Sequence, residues 1–370
     1  MEEPKVCLAL GGGAARGLAH LGVLKVLEDA QVPFHMITGT SLGAIVGALY
    51  ATNPDAGYWM GRVEKFLRSF RSRRTRLEFL RRLERPANSN HGFFSDMANL
   101  IRKGFFWGVT ATQPAFISEK EYEELVNPLI PDVMIEDTKL PFGCVATDIR
   151  YGKRVLFTSG SLRKAVSASC SLPGIFPPVD YRGMLLVDGG WVERVPVLAA
   201  RDMGADITIA VDVSSDLVEF ENSSGLDIVL RADAVTRVYL NELLANDADV
   251  IIHPGVGTVH WADFSDPKEM FRKGETATTE KVVNGRYSKE KRLTSFIGAF
   301  PMDDPRYLVL VMLDEPKPTP ETYGFATSGW NAVPAAAKII ERIAPMLGVE
   351  PRFTAEDIEK LEKQKKAKKG

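Results

Sequence analysis

The segment from Ile37 to Ile45 is the feature that most constrains the fold of this chain. Its sequence, Ile-Thr-Gly-Thr-Ser-Leu-Gly-Ala-Ile, places Ser41 in a G-x-S-x-G frame between an apolar, β-branched run and a small-residue helix. This frame predicts a sharp strand-to-helix turn that exposes the serine hydroxyl at the positive end of the helix. Gly39 and Gly43 would let the backbone make that turn. Ser41 is therefore either a nucleophile or only the cap of a helix.

A glycine-rich loop near the N-terminus is the second informative element. An apolar strand from Val6 to Leu10 leads into this loop, which ends at Gly17 and is followed by a helical pattern of leucines. Free N–H groups in such a loop can form an oxyanion hole or bind a dinucleotide pyrophosphate. The dinucleotide use expects an acidic residue at the end of the next strand, where this chain has the serine turn. A plain tight turn is the remaining alternative. The residues assigned to the oxyanion hole are Gly11, Gly12, Gly13 and Ala14.

The third element is an apolar strand, Leu185 to Val187, that ends in Asp188 and two glycines. An aspartate at a strand end can simply cap a turn. With the other two elements present, Asp188 becomes the natural general base for Ser41, because a nearby carboxylate can take the hydroxyl proton. An ordinary aspartate, with a pKa of about 4, is a weak base towards an alcohol. We therefore expect burial to raise the basicity of Asp188.

Taken in order, these elements resemble the patatin-like phospholipases, especially the bacterial branch related to neuropathy target esterase. The resemblance rests on G-G-G-A-A-R-G at 11–17, G-T-S-L-G at 39–43 and D-G-G at 188–190. A fourth block, 165–178, also agrees, except at Ser171, where alanine is usual. The resemblance covers about residues 1–275. It implies hydrolysis of lipid carboxylic esters through an acyl-enzyme, with a Ser-Asp dyad and no histidine, cofactor or metal.

Four further residues are assigned supporting roles around the predicted dyad. Gly39 and Gly43 shape the serine turn, and Gly189 follows the general base. Arg16 either orients the glycine-rich loop or contacts an anionic headgroup, and a salt bridge that fixes the loop is an equal alternative.

Histidine-dependent catalysis is the main alternative mechanism. A triad in α/β-hydrolases runs Ser, Asp, His along the chain, and His253 and His260 both follow Asp188. A non-catalytic lipid-binding or protein scaffold is the other alternative. The remaining histidines are expected to pack or to lie on the surface: His20, His35 and His91.

Strands and helices alternate along the first 275 residues, which predicts an α/β fold with helices on both faces of a largely parallel sheet. We expect a three-layer α/β/α patatin-like sandwich with Ser41 at the carboxyl end of a strand, where such folds form ligand crevices. The predicted strands are 6–10, 34–40, 141–148, 153–158, 184–188, 207–212 and 249–252. The predicted helices include 15–30, 41–52, 193–203 and 225–247.

Residues 55–135 of the predicted hydrolase domain (1–276) are expected to form a helical cap inserted after the serine helix. Between Arg62 and Arg85 lie ten Lys or Arg residues against three glutamates, interleaved with phenylalanines and leucines. This basic amphipathic stretch either lies on an anionic membrane surface as a lid, or packs over the core with a solvated basic face. The following loop offers further apolar contacts: Phe93, Phe94, Phe105, Phe106 and Trp107.

The character of the chain changes after about residue 276, and residues 280–351 resemble the C-terminal end of a class B penicillin-binding transpeptidase. Segments 295–301, 307–314 and 323–330 carry this resemblance, which predicts two strands, a loop and a terminal helix at 331–346. The S-x-N and K-T-G motifs of that family are absent, so we interpret 277–350 as a non-catalytic α+β appendage. The charged residues 351–370 are expected to form a flexible tail.

Charge and cysteine usage exclude several classes of function. A formal net charge of −2 and the lack of finger, zipper or aromatic RNA motifs argue against a nucleic-acid partner. The three scattered cysteines, Cys7, Cys144 and Cys170, predict reduced thiols in a cytoplasm, not a disulfide framework or a metal cluster.

The first five residues lead directly into a strand, which predicts no signal peptide. No apolar run approaches about 18 residues, so membrane contact is expected to be peripheral.

Overall fold

The structure is a computed structural model of the 370-residue chain. It describes residues 4–71, 111–214, 225–257, 259–282, 293–300 and 307–314, together with the single positions 108, 109, 217, 220, 336, 337, 339, 340 and 344. The chain divides into two compact units, one ending at Val282 and one beginning at Val283, and each unit is described by itself.

The first unit is built on one eight-stranded mixed sheet. The strands are β1 (Val6–Leu10), β2 (Met36–Thr40), β3 (Phe142–Asp148), β4 (Lys153–Phe157), β5 (Val179–Tyr181), β6 (Met184–Asp188), β7 (Ile207–Val211) and β8 (Val250–Ile252). Strands β8, β7, β1, β2 and β3 are parallel neighbours in that order. Strands β4 and β6 pair antiparallel with β3, and β5 pairs antiparallel with β6.

Helices flank this sheet, which confirms the predicted α/β fold class. The helices are α1 (Ala19–Asp29), α2 (Leu42–Thr52), α3 (Ala56–Arg71), α4 (Glu119–Val126), α5 (Leu162–Ser169), α6 (Val197–Asp202), α7 (Gly225–Ala245) and α8 (Pro267–Val282). Helix α1 is preceded by a 3-10 turn, Ala14–Leu18, so the predicted helix at 15–30 is α-helical only from Ala19. Helix α6 begins only after Pro196, so it is shorter than the predicted helix at 193–203. The residue before a proline rarely adopts helical backbone angles, and a helix therefore cannot readily extend through Val195.

The core lies on both faces of the parallel strands. Residues Cys7 to Leu10 of β1 have no exposed surface, which is typical of a parallel strand covered by helices on each side. Helix α1 buries Leu21, Leu24 and Leu27 against this strand layer. All three cysteines are free and buried.

Helices α1 and α8 approach each other closely at two glycines. A Cβ atom on Gly22 would overlap the carbonyl oxygen of Phe271, and one on Gly274 would overlap the carbonyl oxygen of Ala19. Helix α8 is therefore part of the first unit up to its end at Val282. The domain boundary that the sequence suggested, after residue 276, lies inside this helix, so a truncation that removes the second unit should end at 282.

Replacing Gly274 by alanine is expected to destabilise the first unit by about 1 to 3 kcal/mol, because the new methyl group must push the two helices apart. The natural control is Gly61→Ala in helix α3, where a Cβ atom meets nothing within 4 Å. That variant should gain about 0.5 to 1 kcal/mol from helix propensity alone. Urea unfolding followed by circular dichroism measures both. Equal stability of Gly274→Ala and wild type would contradict the close crossing.

The second unit contains two antiparallel strands, β9 (Leu293–Phe300) and β10 (Tyr307–Asp314), paired along their whole length. Four positions of the predicted helix at 331–346 are helical: 336, 337, 339 and 340. The transpeptidase resemblance of this unit stays a prediction.

Two predicted features lie largely outside the described residues. Helices α3 and α4 belong to the predicted cap, but most of its basic stretch, from residue 72 on, lies outside, as do Phe93, Phe94, Phe105, Phe106 and Trp107. The tail at 351–370 lies outside as well. Within the described part of the chain, no helix is both long and apolar enough to cross a membrane.

Candidate active site

The register of strand β3 brings the ends of β2 and β6 together. Strand β2 is parallel to β3 with Thr40 opposite Val145, whereas β6 is antiparallel with Asp188 opposite Ala146. Strand β4 pairs with β3 beside both of these stretches and so occupies its other edge. Strands β2 and β6 therefore run towards each other along one edge of β3, and their last residues face consecutive positions. Ser41, which follows Thr40, is thereby placed beside Asp188.

Ser41 occupies a strained turn between β2 and α2. Its φ is 56° and its ψ is −126°, a region that residues with a side chain rarely adopt. The turn needs glycine on both sides: a Cβ atom on Gly39 would lie 2.5 Å from Cα of Ala44, and one on Gly43 would overlap the carbonyl oxygen of Leu10. The Ser41 side chain makes no capping hydrogen bond to α2. Ser41 therefore combines a strained backbone with a side chain that does not cap the helix, and both features are expected of a nucleophile turn.

Asp188 is buried and has one carboxylate oxygen without a hydrogen bond. It is 2% exposed, and its Oδ1 accepts the Gly190 N–H at 2.7 Å. Among the described residues, its Oδ2 has no hydrogen-bond partner. Burial raises the pKa of Asp188 to about 6, and the Ser41 side chain, the Gly190 N–H and the charges of Arg194 and Arg237 partly oppose this rise. The carboxylate is therefore a stronger base than an exposed aspartate, in the direction expected from the sequence.

The glycine-rich loop lies against Ser41, but only part of it offers free N–H groups. A Cβ atom on Gly12 would lie 3.2 Å from Cβ of Ser41, so the loop passes directly beside the serine. The Gly11 N–H donates to the Val211 carbonyl at 3.0 Å, and the Gly12 N–H donates to the Arg194 carbonyl at 2.9 Å. These two predicted oxyanion donors are already engaged within the fold.

The next two N–H groups of the loop, those of Gly13 and Ala14, have no acceptor among the described residues. Gly13 packs tightly, since a Cβ atom there would lie 2.6 Å from Cγ2 of Val213. Ala14 has a φ of 48°, which turns the chain into the following 3-10 helix. Gly189, beside Asp188, also requires glycine, because a Cβ atom would overlap the Val145 carbonyl oxygen.

His20 and Arg16 hold the carbonyl groups of this loop. His20 is fully buried, and burial lowers its pKa to about 4, so the ring is neutral and Nε2–H donates to the Gly11 carbonyl at 2.7 Å. Arg16 Nε donates to the Gly13 carbonyl at 3.3 Å, which supports the loop-orienting interpretation of this residue. Burial and the charge of Arg194 lower the pKa of Arg16 to about 10.

Two arginines near Asp188 were not found from the sequence. Arg237 of α7 stacks over the Trp191 ring at 4.7 Å and pairs with Asp233 at 2.8 Å. Burial lowers the pKa of Arg194, and the charge of Arg237 lowers it further. The positive charges of both arginines favour the ionised form of Asp188. Neither arginine belongs to a motif, so no sequence signal marked them.

The two histidines considered as alternative bases both follow β8 in the chain. His253 is exposed and follows β8, which is separated from β2 by β1 and β7. His260 Nδ1 accepts the Ala262 N–H at 3.1 Å, and the adjoining Trp261 carbonyl accepts the Ala15 N–H at 2.8 Å. This segment therefore braces the glycine-rich loop. In the described part of the chain, no group of three or more His, Cys, Asp or Glu side chains could hold a metal ion.

A strained serine and a glycine-rich loop at the carboxyl ends of parallel strands, beside a buried aspartate, are the features of an α/β serine hydrolase. A model of the patatin-like phospholipase family matches residues 8–201, which is more than half of the chain. The chain belongs to the patatin-like phospholipase family, a family of carboxylic ester hydrolases, and the resemblance seen in its motifs is confirmed.

Among curated proteins, the chain is similar to the lysophospholipase nte1 of Emericella nidulans, with 33% identity over 210 residues. It is also similar to the lysophospholipase NTE1 of Candida glabrata, with 35% identity over 208 residues. These matches cover 57% and 56% of this chain but only 12% and 10% of the two relatives. The chain therefore spans a small part of the length of the relatives that it matches.

Two solved structures show a weaker likeness. The crystal structure of VipD from Legionella pneumophila matches with a TM-score of 0.36 and 15% identity, covering 75% of this chain and 66% of VipD. The type III effector protein ExoU matches with a TM-score of 0.30 and 13% identity, covering 76% of this chain and 54% of ExoU.

Proposed function

We propose that this chain hydrolyses carboxylic esters of lipids, with Ser41 as the nucleophile and Asp188 as the general base. The observation that carries the proposal is the meeting of β2 and β6 on one edge of β3, which joins a strained serine to a buried carboxylate. The family membership supports an ester hydrolase, and the names of the matched relatives support a lysophospholipid as one substrate.

The proposed reaction begins when Asp188 takes the proton of the Ser41 hydroxyl. The Ser41 oxygen attacks the ester carbonyl and forms a tetrahedral intermediate with a negatively charged oxygen. When this intermediate collapses, the bond to the leaving alcohol breaks, and Asp188 returns its proton to that alcohol. The acyl group stays on Ser41. Water, deprotonated by Asp188, then releases the carboxylic acid and restores the serine.

The negative charge of the intermediate needs donors beside Ser41. We assign this role to the N–H groups of Gly13 and Ala14, because the hydrogen-bonding capacity of Gly11 and Gly12 is used by Val211 and Arg194. An oxyanion donor of this kind is worth about 3 kcal/mol of barrier. In this assignment Gly12 is needed because it has no side chain, which leaves room next to Ser41.

The pH dependence of the reaction should report the ionisation of Asp188. With a pKa of about 6, the carboxyl is protonated at lower pH and cannot accept the Ser41 proton. We expect kcat/KM for a p-nitrophenyl ester to fall by about tenfold per pH unit below about pH 6 and to level off above about pH 7. His253→Gln and His260→Gln should keep the same profile. A profile that is flat down to pH 5, or lost in either histidine variant, would contradict the assignment.

Substrate and location form the finer part of the proposal. We infer that a lysophospholipid or phospholipid reaches the site from a membrane surface. Three buried free thiols favour a reducing, cytoplasmic location. Release of fatty acid from lysophosphatidylcholine micelles and from phosphatidylglycerol vesicles, compared with a water-soluble short-chain ester, tests this part.

A further inference from the structure

Three consecutive residues at the end of helix α5 contact the backbones of both residues of the proposed dyad. The Ser169 hydroxyl accepts the Ser41 N–H at 3.0 Å, and the Cys170 thiol donates to the Ser41 carbonyl oxygen at 3.1 Å. The Ser171 carbonyl oxygen accepts the Asp188 N–H at 2.9 Å. All three residues are buried. One short segment therefore joins the nucleophile turn to the strand end that carries the base.

The orientation of the Ser169 hydroxyl is itself fixed. It donates its only proton to the Val145 carbonyl at 2.6 Å, so only lone pairs remain for the Ser41 N–H. Val145 is the β3 residue that lies opposite Thr40, and its neighbour Ala146 lies opposite Asp188. The hydroxyl of Ser169 thus links Ser41 to the very point on β3 at which β2 and β6 meet.

Ser41 needs this support because its backbone conformation is strained. A serine in this region relaxes unless its surroundings hold it. On the carbonyl side, the N–H groups of Ala44 and Ile45 bind Ser41 as the first turn of α2, and the Cys170 thiol adds a third donor. On the N–H side, the partner is Ser169.

We propose that Ser169, Cys170 and Ser171 form a positioning segment that holds Ser41 and Asp188 in reacting geometry, an inference that rests on the proposed function. Ser169 and Cys170 are positioning residues, because they act through the backbone of Ser41 and bond neither its hydroxyl nor the carboxylate. Ser171 acts through its carbonyl group, while its hydroxyl bonds the Ser167 carbonyl within the helix end. A backbone role explains why serine can stand where the resembling sequences usually have alanine.

The test compares matched pairs of variants. Ser169→Ala and Cys170→Ala each remove one contact to Ser41, while Cys170→Ser keeps a donor at the same place. Ser167→Ala is the control for the first, because it makes the same change two residues away on the same helix. Cys144→Ala is the control for the second, because it removes another buried thiol, from β3. Thermal unfolding establishes which variants are folded before kcat and KM are measured on a p-nitrophenyl ester.

We expect Ser169→Ala to lower kcat by about tenfold to a hundredfold with KM within about twofold of wild type, because small misplacements of a reacting group have large costs. Cys170→Ala should lower kcat by about threefold to tenfold, and Cys170→Ser should recover most of that loss. The rate of labelling by a fluorophosphonate should fall in parallel. Both controls should keep wild-type kcat, even where they lower the melting temperature as much as the test variants do.

Hydrogen exchange gives a readout that does not depend on catalysis. The Ser41 amide lies in the peptide 36–45 and the Asp188 amide in the peptide 184–192, and mass spectrometry follows both. Ser169→Ala should speed exchange in the first peptide, and Ser167→Ala should leave both unchanged.

Two results overturn the positioning role: wild-type kcat in folded Ser169→Ala, or unchanged exchange in the peptide 36–45. Failure of the proposed function looks different. In that case wild type does not label, or Ser41→Ala remains active, whatever Ser169→Ala does. The first pattern rejects the segment and keeps the dyad, and the second rejects the dyad and the positioning role built on it.

Discussion

Replacing Ser41 by alanine is expected to reduce ester hydrolysis by at least about a thousandfold, because the acyl-enzyme cannot form without the hydroxyl oxygen. KM carries no information at such low rates, so the comparison is made at saturating p-nitrophenyl ester and with a fluorophosphonate probe. The fold should be intact, since the Ser41 side chain makes no capping hydrogen bond that alanine would lose. Ser167→Ala, the same change on helix α5, should retain full activity and full labelling.

A second substitution at Ser41 separates chemistry from folding. Glycine tolerates a φ of 56° without strain, whereas serine does not. We therefore expect Ser41→Gly to be inactive and yet more stable than wild type by about 1 kcal/mol. If Ser41→Ala were inactive and also melted well below wild type, unfolding would explain the loss of activity. Retention of activity in folded Ser41→Ala would reject the nucleophile.

Replacing Asp188 by asparagine should have an activity loss of the same order, about a thousandfold or more, because an amide cannot accept the Ser41 proton. The amide oxygen can still accept the Gly190 N–H that now binds Oδ1. The substitution therefore removes the base while leaving the local hydrogen bond in place. Asp148→Asn is the matched control: this aspartate is equally buried, ends the neighbouring strand β3, and bonds the N–H groups of Arg150 and Leu185. It should keep most of the activity.

The same variant should change stability in the opposite direction from activity. The pKa of Asp188 is about 6 in the folded protein, above its usual value in an unfolded chain, so folding favours the protonated form. The contribution of protonated Asp188 to the free energy of unfolding is therefore complete below about pH 4. It is lost as the pH rises through about 6. At pH 8 the buried charge costs up to about 3 kcal/mol, which asparagine removes. Urea unfolding at pH 5 and pH 8 measures this difference.

If Asp188 is a buried general base, Asp188→Asn should be inactive and should unfold less readily than wild type at pH 8. Equal activity in Asp188→Asn and wild type would reject the general-base role. A stability that falls by several kcal/mol at pH 8 would instead show that the carboxylate is held by structural partners, which the unbonded Oδ2 argues against.

The motifs predicted the elements of the site but not how they meet. The turn at Ser41, its two glycines and the carboxylate at the end of β6 follow from local sequence, because a G-x-S-x-G turn and a strand end are local structures. Their contact depends on β2 and β6 sharing one edge of β3 in opposite directions. No local pattern encodes such a register, since it arises from pairing between strands that are distant in the chain.

Hydrogen-bond partners were also beyond the sequence. From the sequence, the N–H groups of four loop residues were equivalent candidates for the oxyanion hole. In the structure, the Gly11 N–H bonds strand β7 and the Gly12 N–H bonds the Arg194 carbonyl, so neither is free. The short strand β5 was missed because its three residues follow two prolines and contain an aspartate, so they form no continuous apolar run like that of β8. The domain boundary was placed inside α8 because the glycine contacts with α1 that keep this helix in the first unit are tertiary.

Site mapping of a fluorophosphonate adduct tests whether Ser41 is the nucleophile and whether Asp188 activates it. The 370-residue chain is labelled at pH 8, digested and analysed by mass spectrometry. We expect one adduct, on Ser41. It should form at wild-type rate in His253→Gln and His260→Gln, far more slowly in Asp188→Asn, and not at all in Ser41→Ala. An adduct on another residue, or none on the folded wild-type protein, would contradict this expectation.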